Sequence, residues 1–232
     1  ARLAVAIDHQ VTVRWLTLQA LIEPFLRQRW DGLKPSVRAA LLGGAAQIML
    51  MDRVPDHAVL NETVEWMKSG DQPRASGLVN AILRQLCRVR GARTEAADPA
   101  RRDLVLRSDG SGIQLKRELL SENPDEQWQQ QTSCPPALLS HWEEAFGRTE
   151  ARRLALHGIL DAPLIVSEDP SLTDLTEPHS IPGFRVARQG NGIGELLEEP
   201  FPLIVAKSTL ISRIHRRVAC DYVGVKQYDE QG

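Results

Sequence analysis

Between Arg74 and Arg102, seven arginines (74, 84, 88, 90, 93, 101 and 102) face two acids, Glu95 and Asp98. Guanidinium groups at that density could hold a polyanion, because arginine forks onto phosphate oxygens and stays charged at any physiological pH. Arg84 and Arg88 are four apart, so one helix would present both on one face, with Arg74, Arg90 and Arg93 flanking them. A plain solvated helix face fits the same pattern. Lys207, Arg213, His215, Arg216 and Arg217 form a second basic cluster free of acids. Cys134 raises a different chemistry, since a thiolate is a strong nucleophile. Pro135 and Pro136 follow it and no general acid adjoins it, so an inert thiol is expected. The run Gly190-Asn191-Gly192-Ile193-Gly194 lacks G-x-G-x-x-G spacing and reads as a hairpin turn. The six histidines stand singly without H-x-x-x-H spacing, which gives no metal site. No catalytic residue is assigned.

These residues need elements to hold them. Apolar spacing predicts a helical segment over Val13 to Arg29, which Pro24 bends or splits. A helix from about Ser36 to Met51 is apolar nearly all round and therefore central, and Gly43-Gly44 inside it implies close approach of a neighbouring helix. Two more helices are read from Asp56 to about Lys68 and from about Ala75 to Val89. Asn61 and Asn80 fall on these two among apolar residues, and a structural, hydrogen-bonded role is expected for both. Trp15, Trp30, Trp66 and Trp142 keep helical apolar spacing and are expected in the core; Trp128, in the Gln-rich stretch 127–131, is the exception.

The expected organisation is mainly α: a helical bundle over 1–93, a linker over 94–134 and a small α/β unit over 135–232. Asp98-Pro99, Asp109-Gly110, Ser111-Gly112 and Asn123-Pro124 punctuate the linker, while Leu164 to Val166, Phe184 to Ala187 and Leu203 to Ala206 are strand candidates. At 232 residues the chain is long enough for a substantial core, and three cysteines without C-x-x-C spacing exclude a disulfide scaffold and favour the reducing cytoplasm. No run reaches the roughly 18 apolar residues of a membrane span. The net charge of −2 conceals an asymmetry: residues 1–95 hold 13 Lys+Arg against 9 acids, and 161–200 hold eight acids against Arg185 and Arg188. An anionic partner is thereby expected for the first half.

One stretch is more specific. Asp52-Arg53-Val54-Pro55-Asp56 leads into Asn61-Glu62-Thr63-Val64-Glu65-Trp66-Met67-Lys68, and Ser76-Gly77-Leu78-Val79-Asn80-Ala81-Ile82-Leu83-Arg84 follows. This resembles the NusB-type RNA-binding domain, in the form fused to the 16S rRNA cytosine-5 methyltransferase B family (Sun/Fmu type). Its D-x-V-P, N-E-x-V-E-x-x-K and S-G-L-V-N-A-x-L-R segments are matched by Pro55, Asn61, Glu62 and Asn80 among others. Arg14 to Ile22 is also similar to that family. Thr132-Ser133-Cys134-Pro135, with Trp142 and Phe146-Gly147 downstream, is similar to its T-S-H-P segment and W-x-x-x-(Y/F)-G helix, with Cys134 in place of His.

The resemblance implies an RNA-binding module that positions such an enzyme on 16S rRNA, with Arg74, Arg84, Arg88, Arg90 and Arg93 as the RNA-contacting residues. The family's first basic helix would precede Ala1, and its S-adenosylmethionine loop and Pro-Cys nucleophile would lie downstream. The chain is therefore expected to be a fragment or a diverged relative that binds no cofactor itself, S-adenosylmethionine entering only with a catalytic domain. The alternative is a NusB-type transcription antitermination factor, whose partner would be a ribosomal protein. A degenerate paralogue without an RNA role is a third reading.

Overall fold

Turn chemistry and apolar period together fix where each helix starts and stops. The computed structural model describes residues 2–160, 165–168, 173–174 and 176–187. The chain divides into a unit ending at Leu160 and one beginning at Asp161. In the first unit, α1 spans Arg2–Val13, α2 Trp15–Ile22, α3 Pro35–Leu50, α4 Asp56–Ser69 and α5 Ser76–Val89. The segment expected from Val13 ends at Ile22, and Pro24 lies in a 3-10 turn, Glu23–Phe25. Proline has no N–H to continue the ladder, so the helix stops rather than bends. α1, ahead of that segment, buries none of its residues.

Helix α3 is the centre of the bundle. Pro35 occupies its first turn, where a missing N–H is harmless. Leu41, Leu42, Ala45, Ala46, Ile48 and Met49 are all buried, which accounts for its lack of a polar face. A Cβ at Gly44 would lie 2.6 Å from Leu83 Cδ1, so this glycine is what lets α3 and α5 approach, as the Gly-Gly pair implied. Helix α5 is amphipathic: Val79, Ile82, Leu83, Leu86 and Val89 point inward, and Arg84 and Arg88 point out.

The punctuation of 94–134 predicts a linker; these residues instead fold onto the bundle. β1 (Arg90–Thr94), β2 (Leu104–Leu106) and β3 (Gly112–Leu115) form an antiparallel sheet in the order β1-β3-β2. Asp109-Gly110 is the turn of the β2–β3 hairpin, with Gly110 at φ +81°. Asp-Gly between apolar runs is a strong hairpin signal, but strands of three to five residues carry too little period to show it. Val105, Ile113, Leu115 and Leu120 join the bundle's core.

Helix α6 (Pro124–Thr132) starts at Asn123, whose side chain accepts from the amides of Asp125 and Glu126. Its glutamines are not a spacer. Gln131 is fully buried, donates to the carbonyls of Arg101 (3.0 Å) and Leu104 (2.7 Å) and accepts from the Leu106 amide (3.3 Å).

Ser133 closes α6 in the left-handed conformation (φ 52°), and its Oγ accepts from the Thr17 amide at 3.0 Å. Thr17, fully buried on α2, donates its hydroxyl to the Gln130 carbonyl at 2.5 Å. Arg14, 2% exposed at the α1–α2 break, donates from Nη2 to the Gln131 carbonyl at 3.2 Å. Burial, with the nearby charge of Arg107, lowers its guanidinium to about 10. The Thr-Ser-Cys-Pro stretch and the Arg14 stretch are thus one structural joint.

Helices α7 (Pro136–Phe146) and α8 (Arg148–Ile159), read from sequence as the start of the second unit, lie in the first. Leu139, Ala151 and Ala155 pack with Cys134, and Trp128 of α6 lies against them. Trp128 therefore belongs to this cluster, its ring under Arg152 at 4.9 Å. In the second unit β4 (Ile165–Ser167), β5 (Thr176–Pro178) and β6 (Phe184–Ala187) form an antiparallel sheet, β4-β6-β5, which includes two of the strand candidates. The candidate at 203–206, the glycine run 190–194 and the basic cluster 207–217 lie outside the described residues. The described molecule is mainly helical, and none of its helices is long and apolar enough to cross a membrane.

Candidate nucleic-acid interface

The five arginines singled out by sequence separate into two groups. Arg74, in the 3-10 turn before α5, and Arg84 and Arg88 on its outer face are exposed. Arg84 Nε donates to Asn80 Oδ1 at 3.1 Å, which orients the guanidinium without neutralising it. Among the described residues none of the three pairs with a carboxylate. Three unneutralised guanidinium groups on α5 and the turn before it suit phosphate oxygens, which attract them without reading base identity.

Arg90 and Arg93 are differently placed. Arg90 donates to the Ile48 carbonyl (2.7 Å) and to Asp56 Oδ2 (2.8 Å), tying the start of β1 to the ends of α3 and α4. Arg93 donates to Asp52 Oδ2 (2.9 Å), Ser111 Oγ (3.1 Å) and Asp109. Arg107, which sequence reasoning missed, forks onto both oxygens of Asp52 at 2.8 Å. Only the fold discloses this partnership, because residues 52, 93 and 107 are far apart in sequence. Asp52, Asp56, Arg90, Arg93 and Arg107, with Arg53, His57 and the edges of the core residues Met49 and Ile113, line an open depression of about 720 Å³. Burial alone would raise the Asp109 carboxyl, but hydrogen bonds from Ser111 and the charges of Arg93 and Arg107 outweigh it and hold the group below its ordinary range.

The motif residues act locally. Pro55 is the extended residue before α4 (φ −65°, ψ 139°), where its ring fits. Asn61 and Glu62 are exposed on α4 rather than enclosed among apolar side chains, and Asn80 is half-buried as the partner of Arg84. The apolar neighbours of Asn61 in sequence turn inward at Val59 and away from it. Two tryptophans also depart from expectation: Trp30 is buried, but Trp15 is 40% and Trp66 52% exposed. Trp66 precedes the buried Met67 and so faces outward.

Neither described cysteine is poised as a nucleophile. Burial pushes the Cys134 thiol up; burial and then Asp56 push Cys87 up to about 11. A reactive cysteine needs the opposite shift. Among the described residues no three His, Cys, Asp or Glu side chains group as metal ligands.

The helical bundle has a known counterpart: residues 2–88 match the NusB family. The chain is 30% identical over 176 residues to the ribosomal RNA small subunit methyltransferase B of Vibrio cholerae, an alignment covering 72% of this chain and 38% of that protein. Proteins of the same name from Salmonella arizonae and Salmonella paratyphi B are 38% identical over 71 residues, 31% of this chain and 16% of theirs. The chain thus spans well under half the length of these relatives.

Proposed function

We propose that this chain is the RNA-docking region of a small-subunit ribosomal RNA methyltransferase of the B type, holding 16S rRNA through the outer face of α5. The observation that carries the reading is the set Arg74, Arg84 and Arg88, exposed and, among the described residues, without carboxylate partners on the region that matches the NusB family. Binding of this kind is led by phosphate contacts and shape. Methyl transfer is assigned to no residue described here: the thiols of Cys87 and Cys134 are raised, and S-adenosylmethionine would be handled by another part of the protein.

The test is binding of a 16S rRNA fragment across a salt series. Each phosphate contact contributes roughly 0.7–0.9 to the slope of log K against log salt, so Arg84→Glu with Arg88→Glu should weaken binding and flatten the slope by about 1.5. Unchanged affinity and slope would remove α5 from the interface. S-adenosylmethionine should leave the melting temperature of this chain where it is; a saturable rise would overturn the assignment. A protein-partner reading, of the antitermination kind, draws on Trp66, because exposed tryptophan is enriched at protein interfaces. Co-purification of a ribosomal protein that Trp66→Ala abolishes would favour it over bare rRNA.

A further inference from the structure

We infer that the depression between the α3–α4 turn and the β-sheet is a second RNA contact, in which a backbone phosphate displaces Asp52 from Arg93 and Arg107. The inference rests on the RNA reading above and extends it to residues that reading leaves out.

Four arginines, 53, 90, 93 and 107, line the depression against Asp52 and Asp56. Asp109 stands just outside the lining and holds the other side of Arg93. The balance remains positive with all three acids counted. Arg90 is occupied twice over, by Asp56 and by the Ile48 carbonyl, and is a structural tie. Arg53 is exposed and has no ion pair among the described residues.

The centre of the arrangement is Asp52. Its two oxygens receive three N–H groups at 2.8, 2.8 and 2.9 Å, two from Arg107 and one from Arg93. Two guanidinium groups converging on one pair of oxygens is also how arginines grip a phosphate, which offers more oxygens and the same planar fork geometry. Arg107 is 11% exposed and so cannot wander, whereas the Asp52 side chain is 52% exposed, in the turn between α3 and α4. Arg107 is therefore fixed by burial, Arg93 (46% exposed) is held also by Ser111 and Asp109, and the exposed carboxylate is the partner with room to move.

Position supports the same assignment. The sheet strand carrying Arg93 continues directly from α5, whose last turn carries Arg88. The depression therefore adjoins the C-terminal end of the helix that carries Arg84 and Arg88.

Asp52→Asn is the discriminating variant, measured on the whole chain with a single-stranded 16S rRNA fragment. Removing a competing anion should raise affinity about three- to tenfold at low salt and steepen the salt slope by about 0.7, one single-strand phosphate contact. A merely structural Asp52 would leave affinity unchanged or lower it, and that result overturns the inference. Arg53→Glu, on an exposed and unpaired residue, guards against a misfolded Asp52 variant: it should weaken binding at unchanged melting temperature, and unchanged binding counts against the depression. If Arg84→Glu with Arg88→Glu abolishes binding while both depression variants behave as wild type, the inference fails and the α5 reading stands. If the wild-type chain binds no RNA, both fail.

Discussion

Adding one methyl group at Gly44 tests whether α3 and α5 are packed as described, and hence whether the arginine face is held where the account needs it. The new Cβ would sit 2.6 and 2.8 Å from the two Leu83 methyls and 3.3 Å from Leu83 Cγ. Apolar carbons rest at roughly 3.5–4.0 Å, so the leucine end must retreat by about 1 Å. Leu83 is fully buried and has nowhere free to go. Overpacking of this kind costs about 1–3 kcal/mol, partly offset by about 1 kcal/mol of helix propensity gained over glycine. Gly44→Ala alone should therefore be neutral to destabilising by about 2 kcal/mol. Leu83→Ala should cost about 2–5 kcal/mol through the cavity it leaves. In the Leu83→Ala background the clash is gone, so Gly44→Ala should become stabilising by about 1 kcal/mol. Urea denaturation of the four proteins of the cycle gives the coupling, expected at about 1–3 kcal/mol. Additivity within about 0.5 kcal/mol, or a single Gly44→Ala that already stabilises, would refute the packing argument.

Four further outcomes are expected. Thr17→Val keeps the shape of a fully buried side chain but strands the Gln130 carbonyl and removes one of the two partners of the Ser133 hydroxyl, and should cost about 1–3 kcal/mol in thermal denaturation. Arg90→Ala should destabilise the fold by about 1.5–3 kcal/mol, because it releases both Asp56 and the Ile48 carbonyl; Arg84→Ala, on the surface, should stay within about 0.5 kcal/mol while weakening RNA binding. The Asp109 carboxyl is held below its ordinary value of 3.8 in the folded state, so its contribution is complete above that pH and is lost as pH falls below it. Asp109→Asn should accordingly give a shallower acid limb in a pH series of melting temperature, and an unchanged limb would count against the carboxylate's folded-state partners.

The bundle was legible because its helices are long and their apolar period is strong: Val79, Ile82, Leu83, Leu86 and Val89 announce α5 and, by subtraction, its arginine face. Gly44 was readable as a close approach because glycine inside an apolar helix needs a packing reason. The sheet was not legible, since β2 has three residues and the polar turns around it look like spacer. Gln131 makes the same point: its partners are backbone groups of residues 101, 104 and 106, which no local pattern predicts. Sequence groups Arg90 and Arg93 with Arg74, Arg84 and Arg88 because charge counts cannot see Asp52, Asp56 and Asp109 arriving from other elements. It hid Arg107 and Asp52 as partners for the same reason. Asn61 and Trp66 were misplaced by neighbours in sequence that turn inward when the residues themselves turn out.

The central claim is tested most directly by measuring the affinity of this chain for a 16S rRNA fragment as salt is raised, wild type beside Arg84→Glu with Arg88→Glu. The account predicts salt-dependent binding whose slope falls by about 1.5 in the double variant, with melting temperature unchanged. Binding that ignores both salt and the two arginines, or no binding by the wild-type chain, would contradict it.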